Sequence, residues 1–233
     1  MGIIDFHTHV LPGIDDGSKN IETSIKMLDR CAENGVKLMV ATPHFYADIN
    51  SIESFLENRE AAYHKLMAAR GNKKPDILLG AEVAFFKGIS KAEKLQPLLI
   101  EGTNIMLLEM PFTTWDDSVL REVEYLISQR GFRIVIAHLE RFMRFSGNKA
   151  YIKKLLSLPV LVQINAESLT DLRQRNKLIR LFQKKQAHLL GSDCHGLHHR
   201  PPNIWEGRAV IENKLGIEYI NRMDELGALL LKR

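Results

Sequence analysis

Residues 2–17 read Gly-Ile-Ile-Asp-Phe-His-Thr-His-Val-Leu-Pro-Gly-Ile-Asp-Asp-Gly, an apolar run ending in His7 and His9 and then a turn carrying Asp15 and Asp16. The run at 2–6 predicts a buried strand, and the two imidazoles just beyond it project to the same side. The same pattern recurs along the chain. Apolar runs of strand length stand at 37–41, 77–83, 105–109, 133–137, 160–164 and 188–191. Most are continuously apolar, as parallel strands covered on both faces are. Amphipathic helices are predicted between them over 21–34, 51–70 and 117–130, each followed by glycine, and over 169–185. His44, Glu82, Glu109, His138, Asn165, and the pair Asp193 and His195 stand at the ends of the successive runs. An open doubly wound sheet would gather chemistry at one switch point, whereas a closed barrel brings every strand end to one mouth. The expected fold is an α/β barrel.

The chain has 233 residues, 45% of them hydrophobic and 26% charged, the proportions of an ordinary globular protein rather than of a disordered or coiled-coil chain. The alternation runs without a linker or repeat, which predicts one domain over 1–233. No apolar run reaches the roughly 18 residues of a membrane span, so no membrane insertion is expected. The net charge of +4 is spread without a dense basic block, so nucleic acid is not an expected partner. Residues 1–6 have no basic n-region, and Phe6 stands where a myristoylation motif wants Ser or Thr. Two cysteines, Cys31 and Cys194, make no disulfide framework, so a cytoplasmic location is expected.

A lone carboxylate at the end of an apolar strand is costly to bury unless paired or bound to a cation, and Glu82 and Glu109 are two of them. His44 follows a proline that stiffens its loop. Five histidines, two glutamates and two aspartates at strand ends exceed one zinc site and suit a cluster of two or three ions. His64, His188, His198 and His199 lie outside this pattern.

These motifs resemble those of the polymerase and histidinol phosphatase (PHP) superfamily of metallo-phosphoesterases. The closer resemblance is to the PHP-type protein-tyrosine phosphatases of bacterial capsular and exopolysaccharide operons, the CpsB/YwqE group. It is carried by His-Thr-His-Val-Leu-Pro-Gly-Ile-Asp-Asp-Gly at 7–17, Ala-Thr-Pro-His at 41–44, Gly-Ala-Glu at 80–82, Glu109, His138-Leu-Glu-Arg141, Asn165-Ala-Glu-Ser-Leu and Ser192-Asp-Cys-His195. It implies a distorted (β/α)7 TIM-like barrel, the PHP fold, with three divalent ions, manganese before iron or zinc. It further implies that His7, His9, Glu82 and Asp193 hold one ion. Glu82 would bridge to a second with Glu109 and His138, while Asp16, His44 and His195 hold the third. The choice of Asp16 over its neighbour Asp15 rests on geometry. Arg141 and Arg200 match arginines that contact phosphate. The implied substrate is a phosphotyrosine protein, the C-terminal tail of a bacterial tyrosine kinase controlling capsule or exopolysaccharide synthesis. Three ions at +6 against four carboxylates and a hydroxide leave about +1 before the arginines, which suits a phosphomonoester dianion.

The alternative within the superfamily is a phosphatase of a small metabolite such as histidinol phosphate. A separate alternative is a thiolate phosphatase, since Cys194 and Arg200 form C-x5-R. It leaves the strand-end histidines unexplained, and Pro201-Pro202 hinders the loop-to-helix turn that motif needs. An amidohydrolase barrel would want a lysine where Glu82 or Glu109 stands, and a decayed regulatory module would have lost ligands. Aromatic residues Phe45, Tyr46, Phe85, Phe86, Phe112 and Trp115 follow the ligand-type residues of three consecutive strands, and some are expected to flank a tyrosyl ring.

Overall fold

The computed structural model describes residues 2–232. Among the described residues, nine strands and nine α-helices follow in the order β1 (Ile3–Thr8), α1 (Ile21–Glu33), β2 (Val36–Ala41), β3 (His44–Phe45), α2 (Ile52–Arg70), β4 (Asp76–Leu79), β5 (Glu82–Ala84), β6 (Ile105–Glu109) and α3 (Asp117–Ser128), followed by β7 (Arg133–Ile136), α4 (Leu139–Phe142), α5 (Lys149–Leu155), β8 (Leu161–Asn165), α6 (Ala166–Thr170), α7 (Arg175–Gln183), β9 (Leu189–Gly191), α8 (Ile204–Leu215) and α9 (Ile217–Leu230).

Every strand pairing is parallel, and the sheet is curled. The ladders run β1-β2-β4 and β3-β5-β6-β7-β8-β9. The run at 77–83, read from sequence as one strand, is broken at Gly80-Ala81 into β4 and β5. The break answers one in the neighbouring strand. Pro43 has no N–H to donate, so the ladder lapses between β2 and β3. It resumes in the same register, with Ala41 opposite Leu79 before the gap and His44 opposite Glu82 after it. Last and first strands also meet: Asp193 N donates to His7 O at 2.8 Å, and His9 N donates to Cys194 O at 3.0 Å.

Both strand faces are buried. On the outer face Met39, Met106, Ile134 and Val162 join a core with Met27 and Cys31 of α1, Leu66 of α2 and Val123 of α3. A smaller apolar cluster holds Val40, Leu107, Val135 and Leu189 against Leu230 and Leu231. Leu107 lies two residues before Glu109 and so shares its face, which places an apolar floor beneath the polar strand ends.

Helix starts follow their caps. The side chains of Asn20, Ser51 and Asp116 accept from the first-turn amides of α1, α2 and α3. The helix expected over 169–185 is two helices. Asp171 Oδ1 accepts from Arg173 N at 2.9 Å, and this side-chain turn competes with helical bonding. Helices α8 and α9 lie beyond the elements expected from sequence. In α8, a Cβ on Gly207 would meet Ala166 of α6 at 2.8 Å, so the two helices touch backbone to backbone. No helix among the described residues is long and apolar enough to cross a membrane.

Candidate metal centre

β1 alternates, so Asp5, His7 and His9 share the side that faces the sheet interior. Its end brings His7 Nε2 to 3.0 Å from Glu82 Oε2 and 3.5 Å from Asp193 Oδ1. His9 Nε2 stands 3.2 Å and 3.4 Å from the same two oxygens. His44, the first residue of β3, places Nδ1 3.0 Å from Glu82 Oε2. The other oxygen of Glu82 lies 2.7 Å from His138 Nε2, which is also 3.4 Å from Glu109 Oε1. Asp16 Oδ1 approaches His44 Nε2 at 3.5 Å and His195 Nε2 at 3.3 Å. All nine strand-end donors therefore meet at one place. The ligand atoms of eight of them form three overlapping groups: His9, Asp16, His44 and His195; His7, His9, Glu82 and Asp193; and His44, Glu82 and Glu109; His138 lies outside these groups, against Glu82 and Glu109.

Asp15 faces the other way from Asp16. Its Oδ2 lies 2.7 Å from His9 Nδ1 and accepts from His44 N at 3.1 Å, while Oδ1 accepts from Gly17 N at 2.9 Å. Burial opposes its ionisation, yet the His9 imidazole and these amides hold its pKa at about 2. Asp15 thus orients His9, whereas Asp16, with a side chain 68% exposed, points toward the rim.

The sites are conformationally strained where the chain leaves β7 and β9. His138 has φ +29°, Asp193 +53° and Arg200 +48°. Such left-handed backbone costs on the order of 1–3 kcal/mol at a non-glycine residue and concentrates at functional sites.

The donor set fits cations. Burial pulls His9 down, but Asp15, Asp193 and Glu82 outweigh it and hold the imidazole well above its ordinary range. Burial likewise opposes protonation of His138, which Glu109 and Glu82 nevertheless raise to about 9. Glu82 and Asp193 resist burial too, and surrounding imidazoles keep both well below the carboxylate range. His7 Nε2 and His9 Nε2 lie 3.1 Å apart, a separation that two bare lone pairs do not tolerate. Glu82 Oε2, Asp193 Oδ1, His138 Nδ1 and His44 Nδ1 are buried without a hydrogen-bond partner. Positive charge belongs among these atoms, and a mixed imidazole and carboxylate set without thiolate suits Mn, Fe or Zn.

Arg141 Nη2 donates to Asp193 Oδ2 at 2.7 Å, and Arg200 pairs with the same oxygen. Arg200 Nη1 also lies 2.9 Å from His195 Nε2. Asn165, at the end of β8, donates Nδ2 to Asp193 Oδ2 at 2.8 Å.

The aromatic expectations divide. Phe45 is buried edge-on against Phe55, and Trp115 is buried against Phe142, so both belong to the core. Tyr46 stacks on His44 with ring centroids 5.2 Å apart. Tyr46, Phe85, Phe86 and Phe112 line a cavity of about 430 Å³ whose wall includes Glu109.

Cys194 is fully buried, and burial first among several causes pushes its thiol up to about 12. A thiolate nucleophile needs the opposite shift. Cys194→Ser is therefore expected to leave hydrolysis of p-nitrophenyl phosphate largely intact; complete loss with folding and metal content unchanged would restore the C-x5-R mechanism.

Two buried residues escaped the sequence reading. Asp5 accepts from His7 N at 3.3 Å and Ser192 N at 2.9 Å, tying the first strand to the last. Gln163 lies beneath the donors in β8. Each is a polar residue inside an apolar run, two positions before a polar residue at the strand end, and that parity was the available signal.

A curled parallel α/β sheet with a cluster of imidazoles and carboxylates at its carboxyl edge defines the class: an α/β protein with a candidate multi-ion centre. The family model described as "Capsular polysaccharide synthesis, CpsB/CapC" matches residues 3–226, and the chain belongs to that family. It is 25% identical over 233 residues to the tyrosine-protein phosphatase CpsB of Streptococcus agalactiae, covering 95% of this chain and 94% of the relative. It is 27% identical over 237 residues to the tyrosine-protein phosphatase YwqE of Bacillus subtilis, with 99% and 92% covered. Among solved structures, a chain from "Crystal structures of YwqE from Bacillus subtilis and CpsB from Streptococcus pneumoniae, unique metal-dependent tyrosine phosphatases" superposes with a TM-score of 0.85. That match has 25% identity and covers 99% of this chain and 94% of that one.

Proposed function

We propose that this chain is a metal-dependent protein-tyrosine phosphatase that hydrolyses phosphotyrosine monoesters, its substrate the C-terminal tail of a bacterial tyrosine kinase in capsular or exopolysaccharide synthesis. The observation that carries this reading is the aromatic-lined cavity of about 430 Å³ against Glu109, at the edge of the donor cluster. The family and its phosphatase relatives support it. A single domain over 1–233 is part of the proposal. So is a seven-stave barrel, in which β2 with β3 and β4 with β5 each count as one interrupted strand. Two buried free cysteines suit a cytoplasmic setting.

His7, His9, Glu82 and Asp193 would hold one divalent ion, Glu82, Glu109 and His138 a second, and Asp16, His44 and His195 a third, with manganese preferred over iron or zinc. The chemistry such ions supply when bound is activation of water for in-line attack on phosphorus and neutralisation of phosphoryl charge. Glu82 is the shared ligand in this scheme, because its two oxygens face different imidazoles. Asp15 fixes which nitrogen His9 presents. Arg141 and Arg200 exchange their hold on Asp193 for the phosphoryl oxygens of the substrate, where a guanidinium fork matches the anion. Tyr46, Phe86 and Phe112 bracket the tyrosyl ring.

The test is kcat/KM on a phosphotyrosine peptide, a phosphoserine peptide and histidinol phosphate. The phosphotyrosine peptide is expected to be preferred. Far faster turnover of histidinol phosphate would remove the protein-phosphatase reading and leave a metallo-phosphoesterase. Phe112, 41% exposed, gives a finer check. An aromatic contact adds about 0.5–1.5 kcal/mol, so Phe112→Ala is expected to raise KM for the phosphotyrosine peptide about 2–12-fold and to leave the phosphoserine peptide nearly unaffected.

A further inference from the structure

Gln163 is a fully buried amide in the middle of β8, between Val162 and Ile164, and its hydrogen bonds have determined directions. Its Oε1 accepts from the backbone N–H of His138 at 3.0 Å. A backbone amide only donates, so this atom is the oxygen and the other is the nitrogen. The same oxygen lies 3.1 Å from His7 Nδ1, which must therefore carry the imidazole proton. His7 Nε2 is left with its lone pair facing Glu82 and Asp193. At the other end, Gln163 Nε2 donates to Asn165 Oδ1 at 2.8 Å. That contact turns the Asn165 amide so that Nδ2 donates to Asp193 Oδ2 at 2.8 Å. One side chain thus meets His7 and the His138 backbone directly and Asp193 through Asn165, linking the ends of β1, β7 and β9. Gly191 makes room for it: a Cβ there would lie 2.5 Å from His7 Cβ and 2.8 Å from Gln163 Nε2.

We propose that Gln163 is a positioning residue of the metal centre, fixing the tautomer of His7 directly and the orientation of Asp193 through Asn165. The proposal rests on reading His7, His138 and Asp193 as metal ligands. The partner of the second ring nitrogen sets which nitrogen a histidine offers to a metal, and loss of such partners typically weakens metal binding 10–100-fold.

Gln163→Met keeps length and volume but none of the three hydrogen bonds, while Gln163→Glu keeps the oxygen to which His7 donates. The unsubstituted chain and both variants are stripped with a chelator and titrated with Zn²⁺ against a chromophoric competitor. NMR of the zinc-loaded, ¹⁵N-histidine-labelled chains then reads the His7 Nδ1–H proton. Gln163→Met is expected to melt cooperatively, bind Zn²⁺ about 10–100-fold more weakly, and lose the slowly exchanging Nδ1–H signal. Gln163→Glu is expected to retain that signal, and it decides the matter if the Met variant does not fold. Unchanged affinity and signal in Gln163→Met, or loss of the signal in Gln163→Glu, overturns the relay and leaves the metal centre standing. Failure of the unsubstituted chain to bind Zn²⁺ overturns both.

Discussion

Stripping the chain of divalent ions is expected to abolish hydrolysis of p-nitrophenyl phosphate, and adding back Mn²⁺ is expected to restore it. The expectation follows from the packing of the donors. His7 Nε2 and His9 Nε2 lie 3.1 Å apart, and the Nδ1 of each is already committed, to Gln163 and to Asp15. Both ε nitrogens therefore face inward, toward Glu82 Oε2 and Asp193 Oδ1, which have no hydrogen-bond partner of their own. Protons can balance such a cluster but do not bind a water and acidify it as a divalent ion would. Activity measured beside metal analysis checks this, and full turnover in a preparation shown to be metal-free would sink the proposal. Binding to the folded state alone also stabilises it, so the stripped chain should melt at a lower temperature than the reloaded one.

The second large effect is expected at Glu82. Glu82→Gln preserves shape almost atom for atom, so a loss would not come from a cavity. The carboxylate touches four imidazoles, His7, His9, His44 and His138, at 2.7–3.2 Å. An amide replaces one oxygen with an NH₂ group and removes the charge that faces these rings and would hold ions between them. Turnover should fall on the order of a thousandfold or more, with metal content reduced in parallel. Circular dichroism separates this from unfolding. A variant that keeps its metals and stays within about tenfold of the original activity would show that Glu82 is not the shared ligand. His7→Ala and Asp193→Ala should each lose several orders of magnitude, because removing one member disables the rest as a unit.

Much of the site could be read from sequence because ligand-type residues at the ends of apolar runs are anomalous one by one, and strand alternation predicts their facing. Adjacent residues are where that reading needs the structure. Asp15 and Asp16 are equivalent in composition, and only the turn that delivers Gly17 N and His44 N to Asp15 decides which one orients His9 and which reaches the rim. Phe45 and Tyr46 are likewise neighbours on opposite faces, one buried on Phe55 and the other stacked on His44.

The parallel α/β class, the order of its units and the residue types at the strand ends were determined by sequence alone, since hydrophobic periodicity is a local property. Tertiary structure decided what depends on a partner distant in the chain. Gly80-Ala81 breaks its strand opposite a proline in the neighbouring one, at a register no local window contains. Gln163 acquires its role from His7, 156 residues away. A hydrogen bond is directional and specific to its partner, whereas apolar burial is not, so burial could be foreseen where bonding could not.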